Sequence, residues 1–181
     1  MVVIDRRGTP WADNRVWLLP TIRSEASMVR LSDLPDYEAS HLLAKRCPPF
    51  KTQPWVRGPP LKERRLSVVT TAGVHSPGER TFNLIDASYR VIPGDTDGGD
   101  LLMSHTSVNF DRSGFQQDVN VVFPIDRLRE LEAAGEIGSL ARFHYAFMSA
   151  GARAEDFEPG AREVAGLLKE DRVNAVLLCP V

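Results

Sequence analysis

The sequence predicts an α/β fold: a three-layer sandwich with a mostly parallel sheet, plus an irregular N-terminal arm. The length of 181 residues fits a single compact core. After residue 60, short apolar runs alternate with amphipathic stretches, the order typical of parallel strands joined by helical crossovers. Before it, prolines are frequent and all 3 tryptophans occur. We therefore expect an arm over residues 1–60 and an α/β domain over residues 61–181 that is truncated at its carboxyl end.

The arm is predicted to be extended and to pack on the main body through Trp11, Trp17 and Trp55, because such large apolar rings are rarely left in water. One short helix is predicted from Pro35 to Lys45, where an apolar stripe precedes the stop signal that begins at Cys47. The same aromatic residues make the arm a candidate contact between two copies of the chain, so a homo-oligomer is one expected arrangement.

Four apolar runs predict the strands of the α/β domain. They are rich in β-branched and aliphatic residues almost without interruption, which suits strands that are covered on both faces. The predicted strands are Leu66–Thr71, Leu101–Ser104, Val119–Phe123 and Val173–Leu178.

Two helices are predicted between these strands. Ile125 to Ala134 has apolar residues at positions 125, 128 and 131, with Pro124 as the first helical residue and Gly135 as the stop. Ala161 to Asp171 has Val164 and its apolar neighbours at 167 and 168 on one face.

Composition excludes several classes of function. The net charge of −2, from 22 basic and 24 acidic residues, provides no positive field for nucleic acid or anionic lipid. No apolar run approaches the length of a membrane span, and charges within the first twenty residues argue against a secretory signal, so a cytoplasmic location is expected. Cys47 and Cys179 form no paired motif, and no metal site or bound cofactor is predicted.

Candidate site residues follow the predicted strands, because ligands of open α/β sheets bind beyond the carboxyl ends of the strands. The candidates are Thr70, Thr71 and His75 after the first strand, Ser104 and His105 after the second, Asp118, Asn120 and Asp126 around the third, and Cys179 after the last.

Several of these residues have a structural interpretation beside the functional one. His105 is a candidate proton donor or carboxylate ligand, or a histidine that closes a loop. His75 is a candidate substrate ligand or a turn residue. Asp126 either lines the site or caps the following helix. Cys179 is either a surrogate nucleophile or a core residue.

Arg90 is a further candidate. Its planar guanidinium suits a substrate carboxylate, and a structural ion pair with a nearby acid is the alternative. We predict His105, Asp118 and Cys179 as the catalytic group and the remaining candidates as substrate-binding residues.

From Leu66 onward, several motifs occur in an order typical of one enzyme family. They are VVTTAGVH at 68–75, DASYRVIP at 86–93, SH at 104–105, DVNVVFPIDRL at 118–128, GEIGSL at 135–140 and YAFM at 145–148. On these motifs the chain resembles the selenoprotein B-type subunits of glycine, sarcosine, betaine and D-proline reductases.

The resemblance implies reductive cleavage of a C–N bond alpha to a carboxylate in a small amino-acid-like or betaine-like substrate. The nucleophile of the family is a selenocysteine or cysteine followed shortly by another cysteine. A second subunit usually carries a carbonyl-type prosthetic group.

In the family, the strand that matches Asn174–Leu178 runs into Pro-Val and then into this redox motif. Here Pro180 and Val181 are the last residues of the sequence. The resemblance therefore predicts a UGA codon after Val181, read as selenocysteine in the full-length product, and an inactive 181-residue form. The alternative is a non-catalytic binding or structural subunit that lacks the redox motif.

Overall fold

The computed structural model describes residues 30–44, 57–107, 112–148 and 150–181. The chain divides into two units, Met1–Lys45 and Arg46–Val181. In the first unit, the predicted helix is confirmed as α1 (Asp36–Ala44), and none of its residues is buried. Trp11, Trp17, Trp55 and Cys47 lie outside the described residues, so the packing of the arm and its role in an oligomer remain predictions.

The second unit contains all the strands among the described residues. Its helices are α2 (Ser113–Gln117), α3 (Ile125–Ala133) and α4 (Glu158–Glu170), and 3-10 turns lie at Leu61–Glu63, Gly98–Asp100, Val119–Val121 and Ala154–Phe157. The strands are β1 (Arg65–Thr70), β2 (Val74–His75), β3 (Arg90–Pro93), β4 (Leu102–Met103), β5 (Ser139–Leu140), β6 (Phe143–Ala146) and β7 (Ala175–Cys179).

Strand β1 is the centre of the main sheet. On one side β7 pairs with it in parallel, from Leu66 opposite Ala175 to Thr70 opposite Cys179. On the other side β5 and then β6 pair in parallel with its beginning and its end. Strand β3 continues the sheet antiparallel to β6. A mostly parallel sheet is therefore confirmed.

Helices cover both faces of this sheet, as predicted. On one face Ile125 and Leu128 of α3 join Val68, Ile92 and Phe123 in a buried cluster. On the other face Val164 of α4 packs with Tyr145 and Phe147. Side chains alternate between faces along a strand, so β6 contributes Tyr145 to one core and Ala146 to the other.

Two predicted strands do not belong to the main sheet. The segment predicted as a strand at Val119–Phe123 instead begins with a 3-10 turn, because the Asp118 carboxylate accepts a hydrogen bond from the backbone of Asn120 and caps the turn. The strand predicted at Leu101–Ser104 is the short β4, which pairs antiparallel with β2 in a separate two-stranded sheet.

Helix boundaries also differ in detail from those predicted. Pro124 is the N-cap of α3 rather than its first residue. Helix α4 begins at Glu158, ahead of the predicted Ala161, with a proline in its first turn. Strands β2, β3, β5 and β6 were not predicted. They are two to four residues long, and the polar residues Arg90 and His144 lie within β3 and β6.

Candidate functional site

The turn that follows β1 is the structural centre of the predicted site. The N–H of Gly73 donates to the carbonyl of Phe147 at 2.8 Å, and the N–H of Ser104 donates to the carbonyl of Gly73 at 3.0 Å. Gly73 has φ +70, and a Cβ on it would lie 3.0 Å from Met148 and 3.3 Å from the backbone N of His105. Only glycine fits this position without displacing its neighbours, so the turn brings Ser104 and His105 beside the end of β1.

Thr70 and Thr71 hold the end of β7 against the end of β1. The Thr70 hydroxyl lies 2.9 Å from the carbonyl O of Val122 and 3.2 Å from that of Cys179. The N–H of Thr71 donates to the carbonyl of Cys179 at 3.1 Å. The Thr71 hydroxyl accepts the N–H of Val181 at 2.9 Å and donates to the Val181 carbonyl at 3.3 Å. The main chain is thereby fixed as far as Val181.

His105 is a buried imidazole beside this turn. Its Nδ1 accepts the N–H of Ser107 at 3.2 Å, and its carbonyl accepts two hydrogen bonds from the Arg112 guanidinium. Burial lowers the pKa of His105, and the positive charge of Arg112 lowers it further. The side chain is therefore neutral near pH 7, the state in which an imidazole accepts a proton at one nitrogen and donates one at the other.

Cys179 is a free thiol whose side chain packs against the core on the α3 side. Burial raises the pKa of this thiol. Because the thiolate is the reactive form, these surroundings favour the core interpretation of Cys179 over its use as a surrogate nucleophile.

Asp118, Asn120 and Asp126 form one hydrogen-bonded group at the start of α3. The side-chain carbonyl of Asn120 accepts the N–H of Asp126 at 3.0 Å, and its amide donates to Asp118 at 2.7 Å and to Asp126 at 3.1 Å. Asn120 donates two hydrogen bonds to the Asp118 carboxyl, one from its side-chain amide and one from its backbone N–H, and these hold the pKa of that carboxyl below its usual value. The group thus caps α3, and Val122 joins its segment to Thr70.

Arg90 is held by internal partners. Its guanidinium contacts the Asp86 carboxylate at 3.1 Å, the Arg80 carbonyl at 2.9 Å and the Ser88 hydroxyl at 2.8 Å. Burial raises the pKa of Asp86, but hydrogen bonds from Ser88 and Arg90 outweigh it and bring the pKa below its usual value. The structural ion pair, which was the alternative interpretation of Arg90, is therefore present. The substrate-binding role of Arg90 remains a prediction.

Phe82 joins three of the predicted residues. The guanidinium of Arg90 lies over its ring at 4.1 Å, the ring of His75 meets it edge-on at 6.5 Å, and its N–H donates to the Ser104 hydroxyl at 2.9 Å. Sequence reasoning missed Phe82, because an isolated aromatic residue in a loop has no periodic signal. The DASYRVIP motif next to it was the available indication.

The predicted residues therefore form local groups, and contacts link these groups to the turn after β1. The group that holds β7 consists of Thr70, Thr71 and Cys179. The group around Phe82 consists of His75, Arg90 and Ser104. The group that caps α3 consists of Asp118, Asn120 and Asp126. The backbone of His105 lies next to Gly73.

A cavity of about 560 Å³ lies at the opposite edge of the sheet, at the amino ends of β1 and β7. Arg65 and Arg142, which line it, donate to the buried Asp171 carboxylate at 2.9 and 2.8 Å. Burial raises the pKa of Asp171, but hydrogen bonds from Arg142 and Arg65 lower it below its usual value. Arg65 and Arg142 thus share one buried carboxylate, and their contacts tie β1 and the residue before β6 to the residue that follows α4.

Among the residues that the structure describes, no group of three or more His, Cys, Asp or Glu side chains could hold a metal ion. Within the same residues, no helix is long and apolar enough to cross a membrane.

Comparison with known proteins links the chain to one family. Residues 97–180 match the family model for glycine/sarcosine/betaine reductase selenoprotein B. The chain is 42% identical over 120 residues to the D-proline reductase subunit gamma of Acetoanaerobium sticklandii, a match that covers 65% of this chain and 49% of that protein.

More distant relatives are subunits of similar complexes. A glycine reductase complex component B subunit gamma from Symbiobacterium thermophilum is 31% identical over 129 residues, covering 66% of this chain and 30% of that protein. A sarcosine reductase complex component B subunit beta from Peptoclostridium acidaminophilum is 28% identical over 120 residues, covering 63% and 27%. The chain thus spans about half the length of the first relative and under a third of these two. No solved structure matches the chain.

Proposed function

Because this chain is related to the reductase selenoprotein B family, as its motifs predicted, we propose that it forms part of the redox subunit of a reductase complex. The complex cleaves the C–N bond alpha to the carboxylate of a small amino-acid-like substrate. The observation that carries the proposal is the anchoring of Val181 by Thr71 at the carboxyl edge of the sheet. A residue that follows Val181 leaves the sheet at the edge where ligands of such folds bind.

The proposed nucleophile is a selenocysteine or cysteine that follows Val181 in the full-length product. Its selenolate or thiolate attacks the alpha carbon, and the C–N bond breaks as the amine leaves with a proton. A neighbouring thiol then attacks the chalcogen, and the carbon takes up a proton as the carbon–chalcogen bond breaks. The resulting bond between the two chalcogens is reduced by an external dithiol, which supplies the two electrons of the reaction.

For His105 we propose the role of a hydrogen-bonding ligand of the substrate carboxylate, because a neutral imidazole is too weak an acid to protonate a leaving amine. His105 is neutral near pH 7 and lies beside the turn that holds Val181. A second subunit that activates the amine through a carbonyl-type group is part of the proposal, since the relatives are named as subunits of reductase complexes. The substrate-binding roles of Thr70, His75, Ser104, Asn120 and Asp126 also remain proposals.

A non-catalytic binding subunit is the second candidate. The surroundings of Cys179 favour it, because this thiol is partly buried and its pKa is raised. On this account, the described part of the chain binds a ligand but contributes no nucleophile of its own.

The test is an activity assay of the full-length product. The gene is extended through the codon after Val181, cysteine is placed there, and the protein is combined with its partner subunit, a dithiol, and D-proline or N-methylated glycines. The proposal expects ring-opened amino acid or released amine, and no product when serine replaces that cysteine. A UAA or UAG codon after Val181, or equal turnover by the 181-residue form, contradicts it.

A further inference from the structure

The Thr71 hydroxyl binds both backbone polar groups of one distant residue. Its oxygen accepts the N–H of Val181 at 2.9 Å and its proton points to the Val181 carbonyl at 3.3 Å. The two contacts hold both backbone polar groups of Val181. In a chain that continues past Val181, this one side chain would set the direction in which the main chain leaves the residue.

A proline explains why a side chain is needed here. The ladder between β1 and β7 ends with Thr70 opposite Cys179, and the Thr71 N–H donates to the Cys179 carbonyl. The next residue, Pro180, has no N–H to continue the ladder. The following N–H belongs to Val181, and the Thr71 hydroxyl accepts it. The hydroxyl thus extends the pairing of the two strands past the proline.

Thr71 is itself held on a rigid base. The neighbouring Thr70 is fully buried, and its hydroxyl contacts the carbonyl oxygens of Val122 and Cys179. On the other side, Gly73 is fixed by its hydrogen bond to Phe147. Because Thr70 and Gly73 are both held in place, the Thr71 hydroxyl has a fixed position, and so does the backbone of Val181 that it binds.

We propose that Thr71 is a positioning residue that aims the nucleophile through the backbone of Val181, an inference that rests on the proposed function. The hydroxyl uses its only proton on the Val181 carbonyl, so it has none left for a substrate. This assigns Thr71 a role different from the substrate contact that the sequence predicted. Loss of the hydroxyl is expected to move the attacking atom, and a displacement of about 1 Å costs on the order of 100-fold in rate.

The experiment compares Thr71→Val with Thr71→Ser in the full-length protein that carries cysteine after Val181. Valine keeps the size of threonine and removes the hydroxyl, whereas serine keeps the hydroxyl. Thr81→Val, in an exposed loop, is the control for loss of a threonine hydroxyl. Hydrogen exchange of the Val181 amide measures the anchor directly, and steady-state kinetics with the partner subunit measure its consequence.

In Thr71→Val we expect faster exchange at Val181 and a kcat lower by roughly 10- to 100-fold, with KM changed less than about threefold. Thr71→Ser and Thr81→Val should behave like the unsubstituted protein. Unchanged exchange at Val181, or faster exchange with an unchanged kcat, overturns the role of Thr71 and leaves the proposed function intact. No turnover by any variant, including the unsubstituted protein, contradicts the proposed function and the positioning role together.

Discussion

His144 is a fully buried residue that couples the fold to pH. Its Nδ1 accepts the N–H of Val68 at 3.0 Å, and its ring meets Phe123 edge-on at 5.8 Å. Burial, with a smaller contribution from Arg129, lowers the pKa of His144 to about 4. Protonation at Nδ1 would remove the acceptor that Val68 uses, so the folded state resists it.

The free energy of unfolding should therefore fall as the pH is lowered. Below its unfolded pKa of about 6.5, the unfolded chain binds a proton at His144 that the folded chain does not take up until pH about 4. The loss across this window is on the order of 3 kcal/mol. His105 adds to it in the same direction.

The measurement is urea denaturation between pH 7 and pH 4. His144→Asn keeps an acceptor for Val68 but does not titrate, so it should flatten the slope of stability against pH. His41→Asn, on the exposed helix α1, is the control for loss of a histidine. Equal slopes in all three proteins would be incompatible with a buried neutral His144.

A second prediction for single residues concerns the buried ion pair of Asp86 and Arg90. Arg90→Ala leaves the Asp86 carboxylate buried without its buried charged partner, and should cost about 3–5 kcal/mol of unfolding free energy. Arg153→Ala, which removes the exposed pair with Asp156, should change stability little. Urea denaturation of the two variants decides, and similar losses would contradict the structural role of Arg90.

At the scale of elements, Asn120 caps α3 from outside the helix. Its side-chain carbonyl accepts the N–H groups of Asp126 and Arg127, the second and third residues of α3. Asn120→Ala should lower the unfolding free energy by about 0.5–2 kcal/mol. Asn120→Asp keeps the acceptor but replaces the donor to Asp118 and Asp126 by a third negative charge, so it should lose at least as much. Thermal unfolding measures both, and an unchanged stability in Asn120→Ala would show that the cap is unimportant.

The apolar runs predicted the elements whose pattern is simple. Strand β1, helix α3, helix α4 and strand β7 all lie close to their predicted ranges. The strand predicted at Val119–Phe123 was wrong, because a local hydrogen bond to the Asp118 side chain stabilises a turn in place of strand pairing. Strand β6 was missed because it contains a buried polar residue, His144. Its partner is the backbone N–H of Val68, which lies too far away in the sequence to be recognised from a local pattern.

At the scale of the whole molecule, the position of the candidate site follows from the topology of the sheet. Parallel β1 and β7 end at the same edge, so residues after both strands were predicted to meet there, and Thr71 and Val181 do. The contact itself was not predictable, because Thr71 and Val181 are 110 positions apart and pair only after the strands have aligned. Side-chain partners of this kind depend on register, which the sequence pattern alone does not specify.

We propose that the reactive chalcogen directly follows Val181. Mass spectrometry of the native full-length protein, after reduction and alkylation with iodoacetate, tests this by reading the peptide that spans Val181. We expect an alkylated selenocysteine, with its selenium isotope pattern, or an alkylated cysteine at the next position. A peptide that terminates at Val181, or one that continues with a residue that iodoacetate leaves unmodified, would contradict it.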